Sequence, residues 1–286
     1  MHNYTLLERF LFFSPSFHFE KMKQEVDGKT VLITGASSGI GKAFAYLLAD
    51  TTAHLILVAR SEASMNAMKV DIEQSSARVT VFPADLRNEE ERKELLAFLH
   101  QLTDGLDVFV SNAGISINRP IAKSLDRYHD FTRTMALNYF APVQLLLSLI
   151  PMLAKKNGQI INVSTINALL FPIPYWAAYQ ASKTAFDTWL RSAEPELKVK
   201  NIYTTSIYLP LVRTPMIKPT IAYQSSPAMS PVHVAELIGH ALYTKRNVYK
   251  PWWLMLGQFA SVVFRSPLSL IVLRLVKNKE RDRDDV

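Results

Sequence analysis

Six short runs rich in apolar and β-branched residues, at 30–34, 54–59, 78–82, 107–111, 159–163 and 202–209, alternate with longer stretches whose apolar residues recur at the helical period. The runs are apolar on both faces, which suits strands paired in parallel and covered by helices on each side. Parallel crossovers are right-handed, so the economical arrangement is an α/β fold with one doubly wound sheet. After Leu209 the alternation stops. Pro210, Pro215, Pro219, Pro227 and Pro231 punctuate an irregular stretch at 210–230, long enough to predict a substrate lid. Ser230 followed by Pro231 is an N-cap and first-turn pair, predicting a helix to about Thr244. Residues 1–27 read as a tail, 28–250 as the sheet domain and 251–286 as an apolar, basic helical extension.

Composition narrows this picture. Hydrophobic residues make up 49% of the 286 and charged residues 20%, which excludes a disordered or fibrous chain. There is no cysteine, hence no disulfide framework, cysteine nucleophile or thiolate metal site. The seven histidines show no paired spacing and the acids no ligand cluster, so no metal site is expected. The net charge of +7 is local. Between Ala241 and Lys279 lie seven basic residues (Lys245, Arg246, Lys250, Arg265, Arg274, Lys277, Lys279) and no acid, whereas the rest of the chain balances at 25 of each sign. These cations sit among Trp252, Trp253, Met255, Leu256, Phe259 and Phe264, a mixture that favours an anionic membrane surface over nucleic acid. The alternative is that 251–279 packs on the domain or on a second copy. No run reaches about 20 clean apolar residues, so no membrane span is expected. The first residues lack a basic region and a small-residue cleavage site, so a cleaved signal is not expected either. A cytoplasmic protein, peripheral at the inner face of a membrane, is the expectation.

The chain has nine glycines, and three fall in Thr34-Gly35-Ala36-Ser37-Ser38-Gly39-Ile40-Gly41, between the first strand and a helix. In a Rossmann-type βα turn, Gly35 allows the sharp turn, Gly39 lets backbone amides approach a pyrophosphate, and Gly41 lets helix and strand pack closely. The second strand ends in Arg60, where an NAD site would carry an acid for the ribose 2′-hydroxyl. A guanidinium there suits a 2′-phosphate, so NADP(H) is the expected cofactor.

Of 11 tyrosines only Tyr179 has a lysine four residues on, Lys183. On a helix that spacing puts both on one face. An ammonium beside a phenol is expected to lower its pKa from about 10 and ready it for proton transfer to a carbonyl oxygen.

Thr34–Gly41, Asp85-Leu86, Asn112-Ala113-Gly114, Asn138, Ser164-Thr165 and Tyr179/Lys183 occur in one order, and together they resemble the short-chain dehydrogenase/reductase family over about residues 28–245. The resemblance implies a nicotinamide cofactor at the carboxyl edge of the sheet. Gly35, Ser37, Ser38, Ile40 and Arg60 would face adenosine and phosphates, Asp85 and Leu86 the adenine, and Asn112, Ala113 and Gly114 the middle of the cofactor. Tyr179 would donate the proton, Lys183 would hold the nicotinamide ribose, and Asn138 would anchor a water in the proton relay. The hydroxyl that steadies the substrate oxygen would be Thr165, with Ser164 the alternative. Pro210, Val212 and Thr214 would meet the nicotinamide. Homodimers or homotetramers are implied as well.

The string PLVRTPMIKPT and the apolar basic tail resemble the bacterial short-chain reductases that act on fatty acyl-CoA or fatty aldehyde, although a lid of unrelated specificity could share them. The expected function is reduction of a carbonyl on a hydrophobic, lipid-derived substrate (fatty aldehyde, fatty acyl-CoA or keto-lipid). The alternative is a catalytically silent NADP(H)-sensing protein of the same fold.

Overall fold

The computed structural model describes residues 4–217, 220, 223 and 225–284, the side chains of 279–284 excepted. Within them β1 (Thr30–Thr34), β2 (His54–Ala59), β3 (Arg78–Pro83), β4 (Val108–Ser111), β5 (Gln159–Thr165), β6 (Tyr203–Leu209) and β7 (Val248–Tyr249) form one sheet in the order β3-β2-β1-β4-β5-β6-β7. Every pair is parallel. The order reverses beside β1, so the carboxyl ends of β1 and β4 part there and leave a crevice.

Side-chain alternation along the strands builds two cores. Val31, Ile33, Leu55 and Leu57 face one side, packing with α3 (Gly39–Leu47), α4 (Glu62–Ile72) and α9 (Pro231–Thr244). Leu32, Ile56, Phe109 and Ile160 face the other, against α5 (Glu89–His100), α7 (Ala141–Lys155) and α8 (Ala177–Val199). Ser230 caps α9 by accepting from the His233 amide, with Pro231 in the first turn, as the sequence predicts.

Three features depart from the sequence pattern. The stretch expected as a tail carries α1 (Leu6–Leu11) and α2 (Phe19–Val26). Met22 and Val26, one turn apart, are fully buried under α9. The close fit depends on Gly239, where a Cβ would lie 2.7 Å from the Phe17 ring and 2.8 Å from the Met22 sulfur. Second, β7 is only two residues long, too short to leave a pattern. Third, α6 (Tyr128–Met135), a π-turn at Ala136–Phe140 and α7 run on as one helix, Tyr128–Lys155, long and apolar enough to cross a membrane. Its Leu145, Leu146, Leu149 and Leu153 are buried against the sheet, so this apolar side belongs to the core.

The chain ends in α10 (Leu254–Val263) and α11 (Arg265–Asp284), bent by 96° at their junction. Both carry exposed apolar side chains, among them Met255, Leu256, Phe259, Val262 and Leu270.

Candidate active site

A cavity of about 790 Å³ opens along the carboxyl edge of β1, β2, β4 and β5. All the site residues expected from sequence line it except Gly41 and Asn138. Residues 218, 219, 221, 222 and 224 of the expected lid lie outside the described residues.

The β1–α3 turn is built by its glycines. Gly35 (φ +66°) and Gly39 (φ +55°) take the left-handed region that side chains disfavour. The Gly35 amide donates to the Val58 carbonyl at 2.8 Å, drawing the turn over β2. Gly41 lies beneath it, where a Cβ would come within 2.4 Å of the Gly35 carbonyl oxygen. Its part is therefore to bring helix and strand together. Ser38, the N-cap of α3, places no side-chain hydrogen bond on the first-turn amides. That positive helix end faces the cavity and suits an anion. Asn112 ties the turn to β4, its side-chain amide donating to the carbonyls of Thr34 (3.0 Å) and Gly35 (3.2 Å).

At the far end Arg60 and Arg87 line the cavity together. Arg87 binds the Asp85 carboxylate through Nε at 3.0 Å, and that bond, with Arg60 nearby, holds Asp85 below its ordinary pKa. Arg87 was not singled out from sequence; a cation two residues beyond Asp85 was the available signal.

The candidate catalytic side chains sit where β5 meets α8. Tyr179 and Lys183 occupy the first two turns of α8, on one face as the spacing requires. Thr165 neighbours the Tyr179 hydroxyl, whereas the Ser164 hydroxyl is buried with no partner among the described residues. Lys183 donates to the Val163 carbonyl at 3.1 Å. Burial pushes the Tyr179 phenol up, and the neighbouring Thr165 hydroxyl opposes this without reversing it. Burial also pushes the Lys183 ammonium down, to about 8. The direction is the reverse of the expected lowering: desolvation dominates and favours the protonated phenol.

Asn138 lies in the π-turn, a local widening that recurs at functional sites. Its side chain accepts from the Ile115 amide and donates to the Ile115 carbonyl and the Ser182 hydroxyl, each at 2.9 Å. It sits behind Gly114, where a Cβ would lie 3.3 Å from Asn138 Oδ1 and 3.4 Å from Lys183 Nζ. Asn138 therefore braces the cavity wall.

Beyond Tyr179 the lining turns apolar, with Ile115, Leu137, Ile173, Trp176, Met216 and Ile217. Trp176 meets the Tyr179 ring edge-on at 5.9 Å and stacks on Tyr223 at 5.7 Å. These come from four separate loops and helices, so no sequence spacing links them. The uncapped helix end, the turn a Cβ would fill, two guanidiniums and an elongated cavity fit a phosphorylated dinucleotide.

Comparison with known proteins agrees with this geometry. Residues 29–224 match the family described as short chain dehydrogenase. A fatty acyl-CoA reductase of Acinetobacter baylyi is 43% identical over 243 residues, 85% of this chain and 81% of that protein. A fatty acyl-CoA reductase of Mycobacterium tuberculosis is 39% identical over 77% of this chain and 76% of its own. Among solved structures, L-sorbose reductase from Gluconobacter frateurii, complexed with NADPH and L-sorbose, is similar at a TM-score of 0.70 and 25% identity, covering 79% of this chain and 94% of that one.

Proposed function

The chain belongs to the short-chain dehydrogenase family, and on that footing we propose that it is an NADPH-dependent reductase of long-chain fatty acyl thioesters and the aldehydes they give. The observation that carries the reading is that Tyr179, Thr165 and Lys183 line one cavity together with the glycine turn and an apolar wall. In the proposed site Gly35, Ser37, Ser38, Gly39 and Ile40 hold the pyrophosphate, and Arg60 with Arg87 the 2′-phosphate. Asp85 and Leu86 take the adenine; Asn112, Ala113, Gly114, Pro210, Val212 and Thr214 line the rest. Bound there, NADPH supplies hydride to the substrate carbon.

Thr165 and Tyr179 hold the carbonyl oxygen by hydrogen bonds, and Tyr179 passes its proton to that oxygen as negative charge develops. A phenol kept protonated by burial suits the acid of a reduction. Lys183 supplies the neighbouring positive charge against which the resulting phenolate is stabilised. With a thioester, the hydroxyl so formed returns its proton to the Tyr179 phenolate as the carbon–sulfur bond breaks, leaving an aldehyde and a thiolate. The test is NADPH consumption by purified protein offered long-chain acyl-CoAs, aldehydes and keto-lipids. Turnover of acyl-CoA or aldehyde is expected; consumption with none, despite NADPH binding, would leave only the silent binding protein.

The tail fits a substrate delivered from a bilayer. Exposed Met255, Leu256, Phe259 and Val262 on α10 lie among Lys250, Arg265, Arg274 and Lys277. Phe10 of α1 meets Trp252 at 5.0 Å, extending the apolar face. The α10 hydroxyl of Ser261 accepts from the Phe171 amide at 3.0 Å, so α10 adjoins the β5–α8 loop that lines the pocket. We expect the protein to float with anionic vesicles and the Leu256→Glu/Phe259→Glu variant to stay behind; equal flotation of the two would contradict membrane docking.

A further inference from the structure

Outside the cavity, three guanidiniums converge on one buried carboxylate. Asp130 meets Arg133 at 2.7 Å, Arg119 at 2.8 Å and Arg127 at 3.3 Å, and its side chain is only 2% exposed. His129 stands at 3.4 Å. Burial pushes the Asp130 carboxyl up, but hydrogen bonds and charge from the three arginines hold it below its ordinary pKa. It stays ionised, and arginine is always charged, so one anion faces three fixed cations. Two positive charges remain without a counter-ion in the cluster. Each arginine side chain is about one-third exposed (31%, 35% and 37%), and the Arg133 Nε–H is buried without a hydrogen-bond partner among the described residues.

This cluster is wired to the substrate end of the cavity. Arg119 follows the β4 loop whose Ile115 and Ser116 line the pocket. Its amide donates at 2.7 Å to the carbonyl of Tyr175, a residue held at φ +71° immediately before the pocket residue Trp176. Strain of that kind persists where surrounding contacts fix it. The cations for a 2′-phosphate, Arg60 and Arg87, follow β2 and β3 instead. The molecule thus presents a second cationic site, joined to the cavity wall through the Arg119–Tyr175 backbone hydrogen bond.

Resting on the reductase reading above, we propose that Arg119, Arg127 and Arg133 bind the phosphate groups of the nucleotide thioester headgroup, the coenzyme A portion of the substrate, while its acyl chain occupies the apolar pocket. Planar guanidiniums held by a shared carboxylate are preorganised for bidentate phosphate contacts. Asp130 serves to position them.

Three substrates of one chain length separate the possibilities: the acyl-CoA, the acyl-N-acetylcysteamine thioester, which lacks phosphate, and the free aldehyde. Arg127→Gln and Arg119→Gln each leave Asp130 paired with the remaining arginines. Each is expected to raise KM for acyl-CoA on the order of tenfold, with kcat little changed and both parameters for the other two substrates unchanged. Arg127→Lys should recover part of the loss. Equal effects on all three substrates would mean a structural role and overturn the proposal, as would an unchanged acyl-CoA KM. Wild-type protein that turns over none of the three would instead overturn the reductase reading itself.

Discussion

Replacement of Tyr179 by phenylalanine is expected to lower kcat/KM for a long-chain aldehyde by about 10²–10⁴-fold, the range a positioned general acid supplies, while NADPH affinity stays within a few-fold. The substitution removes one oxygen. The ring that packs edge-on against Trp176 is kept, and the folded-state loss is confined to the hydroxyl beside Thr165, at most about 1 kcal/mol. A large fall in turnover from a folded, cofactor-competent variant would therefore report proton donation. Steady-state kinetics beside a direct NADPH titration separates the two quantities. Activity within a few-fold of wild type would move the proton donor elsewhere.

The second large effect is expected in cofactor choice. Arg60→Glu should weaken NADPH binding by on the order of 10²-fold, since a charge-assisted hydrogen bond contributes about 1.5–3 kcal/mol and a guanidinium can give two. NADH binding should change little. Arg87 would offset only part of the loss, because Asp85 already neutralises much of its charge. A new carboxylate beside Asp85 would also repel the phosphate. Titration of both cofactors checks this, and an equal weakening of the two would show that Arg60 acts on the shape of the cleft rather than on the 2′-phosphate.

Much of the fold was legible because strand patterns and a βα glycine turn are local. All six expected strands exist, with ends displaced by at most two residues: β5 runs on to Thr165, and β6 begins at Tyr203. The N-terminal helices were not legible for a definable reason. In α2 only Met22 and Val26 are buried, a stripe too narrow to stand out until Gly239 of a distant helix makes room for it. In the site, the Tyr179/Lys183 pair could be read from spacing alone, because both lie on one helix. Arg87, Trp176 and Tyr223 could not, because different loops bring them together. The place of Asn138 behind the Gly114 wall, fixed by three hydrogen bonds from the π-turn, could not be read from sequence either. The direction of the Tyr179 pKa was misjudged for an energetic reason: a neighbouring lysine is visible in sequence, whereas the depth of burial is not.

The central claim is that this cleft transfers hydride to a carbonyl carbon while Tyr179 protonates the oxygen. It is tested most directly by supplying NADPH deuterated at the transferring position of the nicotinamide, with a long-chain aldehyde, and analysing the alcohol by mass spectrometry. One deuterium is expected at the carbinol carbon with wild-type protein, and almost no labelled alcohol with Tyr179→Phe. Unlabelled alcohol, or labelled alcohol formed equally well by the variant, would contradict it.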